Sequence, residues 1–342
     1  MKSFMKKTIA ILLAAVMVFA FTACTTEETS NPSSTASSEP SGTEEQLKIG
    51  IIQYISHPSL DNCYQGVMEA LEASSLNFTV DHQTGSDASA DADCATYAGN
   101  MVAQNYDMII AIATPAAISA YAATEGTDIP VIFCAVSDPV EAELVSSLEN
   151  PGDLCTGTSD ILDLSAQLDL IQAMQPDVET IGILYTTSEP NSISHLASFR
   201  EIAGERGITI DAVGIQNDAD IPAAAEALAS RVDCINNFTD NKVVTNLSIV
   251  LDAANNAGIP VYGSEITQVE AGCLASVSIE YVALGRVTGE MAVDVLNGAD
   301  ITTMAVKTIA DATPVVNTDV LETLNMSIPE GYENVETVTT QE

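Results

Sequence analysis

The chain has 342 residues, with 48 acidic residues against 10 Lys plus Arg, so its formal net charge is −38. Apolar residues make up 46% of the sequence, which is enough to fill two cores and argues against wholesale disorder. So negative a charge repels a phosphate backbone, which excludes nucleic-acid binding as the main role. A single long apolar run also excludes a membrane-embedded bundle. The composition therefore fits an acidic two-domain protein for a small ligand or a protein partner.

The first 24 residues combine a basic start with a short apolar run. Lys2, Lys6 and Lys7 precede the uninterrupted apolar residues 9–21. As a helix this run spans only ~20 Å, less than the ~30 Å hydrocarbon core, which is typical of a signal peptide. The run ends in FTAC (21–24), which resembles a bacterial lipobox apart from Phe where Leu is usual. We expect residues 1–23 to be removed and Cys24 to carry a lipid anchor; the alternative is an ordinary cleavage site beside a Cys.

Residues 24–46 are rich in Ser, Thr, Glu and Pro and show no apolar periodicity. Such a segment cannot bury enough surface to fold, so it is predicted to be a disordered tether. Removal of residues 1–23 deletes three Lys and no acidic residue, which leaves 7 basic against 48 acidic residues, a charge of −41.

Six cysteines follow the tether, and they form no C-x-x-C motif and have no His at metal-binding spacing. We therefore expect no metal site and no cofactor, and we interpret these thiols as small apolar packing groups. A disulfide among them stays open at this point. The six are Cys63, Cys94, Cys134, Cys155, Cys234 and Cys273.

From residue 47 onward, short apolar runs alternate with amphipathic stretches. Strands are predicted at 48–55, 77–82, 108–113, 131–136, 180–185, 209–213, 234–238, 261–263 and 274–278. Helices are predicted at 59–73, 88–104, 116–124, 162–174, 191–205, 222–230, 241–256 and 280–296. Alternating βα units with nearly continuous apolar strands predict parallel sheets covered by helices on both faces.

The βα units fall into two groups, because a turn-rich break at 149–153 separates four units from a second series. A third block begins near residue 279 with a helix whose apolar residues recur on one face. Two doubly wound lobes joined by several crossovers explain this order better than one large sheet.

Polar residues gather where the predicted strands end. The segments 56–61, 113–115, 137–139, 187–192, 239–241 and 264–265 each place Ser, Thr, Asp or Glu directly after an apolar strand. Each segment alone is more simply explained as a helix N-cap. All six, however, fall at the carboxyl edge of the sheets, where open α/β folds bind ligands. We therefore expect the six corners to converge on one shared cavity.

Signatures of catalysis are missing from the sequence. It has no G-x-G-x-x-G after a strand, no G-x-x-x-x-G-K-[ST] loop and no G-x-S-x-G elbow. The three histidines are far apart, and Asp87, Asp91 and Asp93 lack the Gly and distal Glu of a calcium loop. We expect a protein that is not an enzyme; a lipid-anchored hydrolase is the competing class.

Several segments resemble one protein family. KIGIIQ (48–53), HPSLD (57–61), VIFCAVSDP (131–139), YTTSEPNS (185–192), IPVYGSE (259–265) and YVALGRVTG (281–289) occur in an order that resembles substrate-binding lipoproteins of ABC transporters. The resemblance covers about residues 47–330, and the tryptophan and tyrosine transport members are the most similar. It implies the type 1 periplasmic-binding-protein fold, with two lobes that close on a solute and a three-strand hinge between them.

By resemblance, the N-lobe comprises residues 47–158 and 280–303, and the C-lobe comprises 159–279 and 304–332, with 333–342 as a tail. The resemblance also implies an extracytoplasmic protein, anchored by lipid only to the outer face of the bacterial membrane. Its partners would be a permease and an ATPase. Sequence alone does not separate transport from a ligand-sensing module with the same fold.

The expected ligand is an aromatic amino acid such as tryptophan or tyrosine, with branched-chain amino acids and purine nucleosides as alternatives. Thr114 and Ser137 would bind its carboxylate, and Asp240 or Glu265 would accept its ammonium group. The full set of candidate ligand-binding residues is His57, Thr114, Ser137, Asp138, Ser188, Glu189, Asn191, Ser192, Asp240, Asn241, Ser264 and Glu265.

Overall fold

The computed structural model of the protein describes residues 46–309 and 313–341. The predicted signal peptide, Cys24 and the tether up to residue 45 lie outside the described residues. The described chain is an α/β protein with helices alternating with strands, which confirms the predicted fold class.

The strands are Leu47–Gln53 (β1), Phe78–Thr84 (β2), Met108–Ile112 (β3), Val131–Cys134 (β4), Cys155–Ser159 (β5), Thr180–Thr186 (β6), Thr209–Ile215 (β7), Cys234–Asn236 (β8), Val261–Tyr262 (β9), Ala275–Ser278 (β10), Lys307–Thr308 (β11), Thr313–Asn317 (β12) and Glu336–Val338 (β13). The helices are Pro58–Ala73 (α1), Ala90–Ala103 (α2), Thr114–Thr124 (α3), Leu164–Met174 (α4), Pro190–Glu205 (α5), Ile221–Ala229 (α6), Asn241–Thr245 (α7), Leu247–Ala257 (α8), Ile266–Glu270 (α9), Tyr281–Leu296 (α10) and Thr318–Leu324 (α11). Among these described helices, none has the length and apolar character needed to cross a membrane.

The first sheet has the order β11-β5-β4-β3-β1-β2, and each neighbouring pair is parallel. Every residue of β3 (MIIAI) and β4 (VIFC) is buried, as expected for strands covered by helices on both faces. We call this sheet, with α1–α3 and α10, the N-lobe.

The second sheet system begins with the parallel order β7-β6-β8-β9. Backbone hydrogen bonds from Leu274 N to Val261 O (2.7 Å) and from Gly263 N to Ala275 O (2.9 Å) join it to the sheet β10-β12-β13. Because β12 runs antiparallel to β10, this sheet system is mixed rather than parallel throughout. We call it, with α4–α9 and α11, the C-lobe.

Four segments differ from the sequence prediction. The strand β5 was not predicted, because its Thr and Ser residues interrupt the apolar pattern. The helix expected at 241–256 is divided at Asn246, whose side-chain amide donates to Lys242 O (2.9 Å). Residues 307–308 add a strand to the N-lobe sheet rather than the C-lobe, and the expected tail contains β13, which pairs with β12.

The six cysteines of the described chain are all buried, and none forms a disulfide. Burial raises the pKa of the Cys94 thiol to about 12, so this group stays protonated at neutral pH. A buried protonated thiol is a poor nucleophile and metal ligand, which agrees with the packing role expected from the sequence.

Helices α1 and α10 touch through glycines. A Cβ atom on Gly66 of α1 would lie 2.0 Å from the Val282 carbonyl oxygen, and one on Gly285 of α10 would lie 2.1 Å from the Cys63 carbonyl oxygen. The two backbones therefore approach more closely than any larger residue allows. This contact packs α10, which follows the C-lobe strand β10 in the chain, against α1 of the N-lobe.

We predict that Gly66→Ala destabilises the protein. The added methyl group meets backbone rather than a flexible side chain, so we expect the free energy of unfolding to fall by roughly 1–3 kcal/mol. The matched control is Gly99→Ala in α2, where no described atom outside its own helix backbone lies within 4 Å. There Ala should stabilise the helix by about 0.5–1 kcal/mol. Urea denaturation measures both; equal stability of the two variants would contradict the close contact.

Candidate functional site

A small cavity lies between the N-lobe and the C-lobe. Its N-lobe side is lined by His57, Ser59, Leu60, Ala113, Thr114, Ala135, Ser137, Asp160 and Tyr281. Its C-lobe side is lined by Asn191, Thr239, Asn241, Val244 and Gln268. The lining residues follow strands β1, β3, β4 and β5 in one lobe and β6, β8 and β9 in the other, so the cavity lies at the carboxyl edges of both sheets.

Five of the six polar corners expected from the sequence contribute to this one cavity. The sixth, 264–265, does not line it, but Gln268 of the following helix α9 does. Asn237 Nδ2 (2.9 Å) and Ser264 N (3.3 Å) both donate to Gln268 Oε1. These bonds fix the amide, so its Nε2 group is left as a donor without a protein partner.

Unpartnered polar atoms concentrate at the cavity. Of the buried side-chain nitrogen and oxygen atoms that have no hydrogen-bond partner within the described chain, five belong to cavity-lining residues other than Ser59, whose side chain bonds Glu265. These five atoms are His57 Nδ1, Thr114 Oγ1, Asn191 Oδ1, Thr239 Oγ1 and Gln268 Nε2. A buried unsatisfied group costs about 1–3 kcal/mol, so this concentration indicates a site shaped for a polar ligand.

Asp160 supplies a buried carboxylate to the same cavity. Ser137 Oγ donates to its Oδ1 and Tyr281 OH donates to its Oδ2, both at 2.9 Å. Burial raises the pKa of Asp160, and the hydrogen bonds from Tyr281, Ser137 and its own backbone N–H partly oppose that rise. The carboxylate keeps capacity for a further donor, because a carboxylate accepts about four hydrogen bonds. The sequence prediction missed Asp160, since it follows the unrecognised strand β5.

Two alanines at the cavity have strained backbones. Ala113 lies at φ +81° and ψ 153°, and Ala135 lies at φ +55°, conformations that normally favour glycine. Each such residue costs about 1–3 kcal/mol and persists only where the surroundings enforce it. Both follow buried strands and line the cavity, and they aim the next residues, including Thr114, at the lobe interface.

The candidate residues from the sequence divide into two groups. His57, Thr114, Ser137, Asn191 and Asn241 line the cavity. Asp138, Ser188, Glu189, Ser192, Asp240, Ser264 and Glu265 do not line it, and a ligand contact for these seven stays a prediction that the cavity geometry does not support.

The carboxylate of Asp240 is occupied by its own lobe. It accepts hydrogen bonds from Thr186 N (2.5 Å), Thr186 Oγ1 (2.8 Å), Ser192 Oγ (2.7 Å) and Val243 N (3.0 Å). These four donors use its acceptor capacity, and Asp240 ties β6 and α5 to the start of α7. The expected ammonium contact stays a prediction that these hydrogen bonds do not favour.

The carboxylate of Glu265 is also occupied within its own lobe, because Glu265 is the N-cap of α9. Its carboxylate accepts from Thr267 N (2.8 Å), Thr267 Oγ1 (2.6 Å) and Gln268 N (2.9 Å) at the start of α9. Ser264 Oγ donates to Asn237 O, and Ser188 is exposed to solvent. The ammonium role expected for Glu265 also stays a prediction that the geometry does not favour, because its hydrogen bonds hold the helix that carries Gln268.

Side-chain hydrogen bonds join the lobes. His57 Nε2 lies 3.2 Å from Asn241 Oδ1, and Ser194 Oγ donates to Asp138 Oδ2 at 3.1 Å. Asp138 also caps the turn after β4 by accepting from Glu141 N (3.0 Å). Asp138 thus acts in the contact between lobes rather than in the cavity.

Known proteins share this architecture and much of this sequence. Residues 48–337 match the family described as ABC transporter substrate binding protein. The chain belongs to this family. It is 36% identical over 329 residues to the tyrosine-binding protein of Clostridioides difficile, which covers 94% of this chain and 93% of that protein.

Two solved structures of similar substrate-binding proteins differ in how well they superpose on this chain. A Streptococcus pneumonia ABC domain in complex with L-Trp has 34% identity and a TM-score of 0.81, and covers 86% of this chain and 100% of that one. A ligand-free, open substrate-binding protein with adhesive properties from Clostridium difficile has 37% identity over the same shares, but a TM-score of only 0.65. Identity and coverage are nearly the same for both, so this chain as a whole superposes better on the L-Trp complex than on the ligand-free, open structure.

We predict that Ser194→Ala shifts the ligand-free protein toward an open form. Loss of a hydrogen bond worth about 1 kcal/mol changes the ratio of closed to open molecules roughly 5-fold. Small-angle X-ray scattering should show a larger radius of gyration for the variant. The control is Ser198→Ala, one turn along α5, since Ser198 is exposed and has no side-chain hydrogen bond within the described chain. An unchanged radius for Ser194→Ala would show that this contact does not hold the lobes together.

Proposed function

We propose that this substrate-binding protein captures an aromatic amino acid, L-tyrosine or L-tryptophan, between its lobes and delivers it to an ABC permease. The observation that carries the proposal is the cavity in which unpartnered donors and acceptors surround the buried carboxylate of Asp160. The relatives support the same ligand class, because one is a tyrosine-binding protein and another is a complex with L-Trp. No catalytic step is part of the proposal.

The ammonium group of the ligand would be bound by Asp160. Among the described residues, Asp160 is the cavity-lining side chain with a carboxylate, and none of the lining residues is Lys or Arg. An ammonium group that donates to a buried carboxylate forms a charge-assisted hydrogen bond, which is about twice as strong as a neutral one. Such a contact replaces the water that the carboxylate loses on burial.

The carboxylate of the ligand would be bound by neutral donors. Thr114 is the first residue of α3, an 11-residue helix whose N-terminal end carries partial positive charge. Gln268 Nε2 offers an N–H donor from the opposite lobe. A zwitterion held by the N-lobe and the C-lobe together favours the closed arrangement, because only that arrangement makes both sets of contacts.

The side chain of the ligand would lie against apolar and small residues. Leu60 from the N-lobe and Val244 from the C-lobe line the cavity, and Ala113 and Ala135 leave space beside them.

We predict that calorimetry detects binding of L-tyrosine or L-tryptophan and that Asp160→Asn weakens it. Loss of the charge-assisted bond should reduce affinity by about 10- to 100-fold. The control is Asp252→Asn, which removes an equal charge from an exposed position of α8 and should leave affinity unchanged. L-leucine and adenosine complete the panel, because a branched-chain amino acid lacks the ring and a nucleoside lacks the ammonium group.

The panel separates two kinds of failure. If leucine or adenosine binds and neither aromatic amino acid does, the proposed ligand is wrong. If an aromatic amino acid binds wild type and Asp160→Asn equally well, the ligand stands and its ammonium partner is another group.

We propose further that Cys24 anchors the protein by lipid to the outer face of the cytoplasmic membrane. The support is the FTAC (21–24) sequence after the apolar run and the spacer that follows it. One acyl chain binds membranes only weakly, so stable anchoring requires more than one chain on this residue.

We predict that Cys24→Ala abolishes incorporation of labelled fatty acid and moves the protein from the membrane to the soluble fraction. The change removes the thiol that is acylated, whereas the control Thr26→Ala leaves the site intact. Labelling of the Cys24→Ala variant at the level of wild type would exclude this anchor.

A further inference from the structure

Glu189 is fully buried between β6 and α5, yet it does not line the cavity. Its Oε2 atom faces three N–H donors: Asn241 N (3.0 Å), Asn241 Nδ2 (2.7 Å) and Asn191 Nδ2 (3.3 Å). Burial and the neighbouring Asp240 raise the pKa of Glu189 to about 8. Because three donors converge on Oε2, this oxygen is an acceptor in either protonation state of the carboxyl group.

This acceptor fixes the orientation of Asn241. The amide must present Nδ2 to Glu189, so its Oδ1 turns toward the N-lobe and lies 3.2 Å from His57 Nε2. An amide oxygen only accepts hydrogen bonds, so His57 must carry its proton on Nε2. Burial lowers the pKa of His57 to about 4, and the neutral ring therefore has one proton only. Its Nδ1, buried at the cavity without a protein partner, is left as an acceptor.

The same carboxyl group acts on Asn191 directly. Asn191 Nδ2 donates to Glu189 Oε2 (3.3 Å) and to Thr239 O (3.1 Å). Both bonds use the nitrogen of the amide, so the oxygen turns away from them. Asn191 Oδ1 is buried, lacks a partner and belongs to a cavity-lining residue. The Glu189 carboxyl group, which lies outside the cavity, thus orients both His57 Nδ1 and Asn191 Oδ1 as acceptors in the cavity.

We propose that Glu189 is a positioning residue that makes His57 Nδ1 and Asn191 Oδ1 hydrogen-bond acceptors for the N–H groups of the ligand. It acts on His57 through Asn241 and on Asn191 directly. The proposal rests on the proposed function only in assigning these acceptors to an ammonium group, since the proton positions themselves do not depend on the ligand.

The test is the tautomeric state of His57, measured by long-range ¹⁵N–¹H correlation spectra of the ligand-free protein. Wild type should show a single neutral tautomer with the proton on Nε2. Glu189→Met keeps the length of the side chain but removes the strong acceptor, so Asn241 can reorient and His57 should show a mixture of tautomers or the Nδ1–H form. Glu189→Gln, whose amide oxygen can replace Oε2, should keep the wild-type tautomer. His82 and His195 serve as internal references in each spectrum.

Binding provides a second measurement. Glu189→Met should weaken binding of L-tyrosine roughly 10-fold, because the cavity then offers a donor where the ligand also has a donor. Glu189→Gln should weaken it less. A purely structural role would lower stability in both variants and leave the His57 tautomer unchanged.

Several results would overturn the proposal. One is a wild-type spectrum that shows the proton of His57 on Nδ1. This measurement does not depend on the folding of any variant. Another is a folded Glu189→Met variant that keeps the single Nε2–H tautomer. If wild type has the expected tautomer and no amino acid of the panel binds, the proposed ligand fails while the role of Glu189 stands.

Discussion

Buried polar groups need hydrogen-bond partners, and this requirement determines the roles of the side chains between the lobes. Asp240 meets this need with four donors from its own lobe, and Glu265 meets it with the first turn of α9. These carboxylates are therefore part of the framework. Asp160 accepts from Ser137, Tyr281 and its own backbone N–H, but it faces the cavity, so its remaining capacity is available to a bound molecule. The same chemical group thus has opposite roles, and its position relative to the cavity distinguishes them.

Much of the architecture was predictable because each buried strand is a nearly pure apolar run. The strands β3 and β4 and the polar residues after them follow directly from that pattern, and so do Thr114 and Ser137 at the cavity. The strand β5 was not predictable, because CTGTS is fully buried without being apolar. Its Thr158 hydroxyl is 2.7 Å from that of Thr288 on α10, a partner 130 residues away. Asp160 was missed for the same reason.

The choice among acidic residues could not be made from sequence either. Asp240, Glu265 and Asp160 all follow strands, and local sequence does not reveal how many donors surround each one. That number depends on residues such as Thr186 and Ser192 for Asp240, which tertiary structure brings together. Sequence patterns therefore located the edge of the sheets where a ligand binds, while the roles of individual side chains required the three-dimensional arrangement.

The last strand of the chain has a practical consequence for handling the protein. Strand β13 pairs with β12, and beyond it Gln341 N donates to the carbonyl oxygen of Glu270 (2.8 Å), while Asn317 Nδ2 donates to Thr340 Oγ1 (3.0 Å). Glu270 is the last residue of the short helix that carries Gln268 into the cavity. A purification tag or fluorophore fused at the carboxyl terminus would therefore disturb the helix beside the ligand. Such labels belong between residues 25 and 45, after the expected lipid anchor at Cys24.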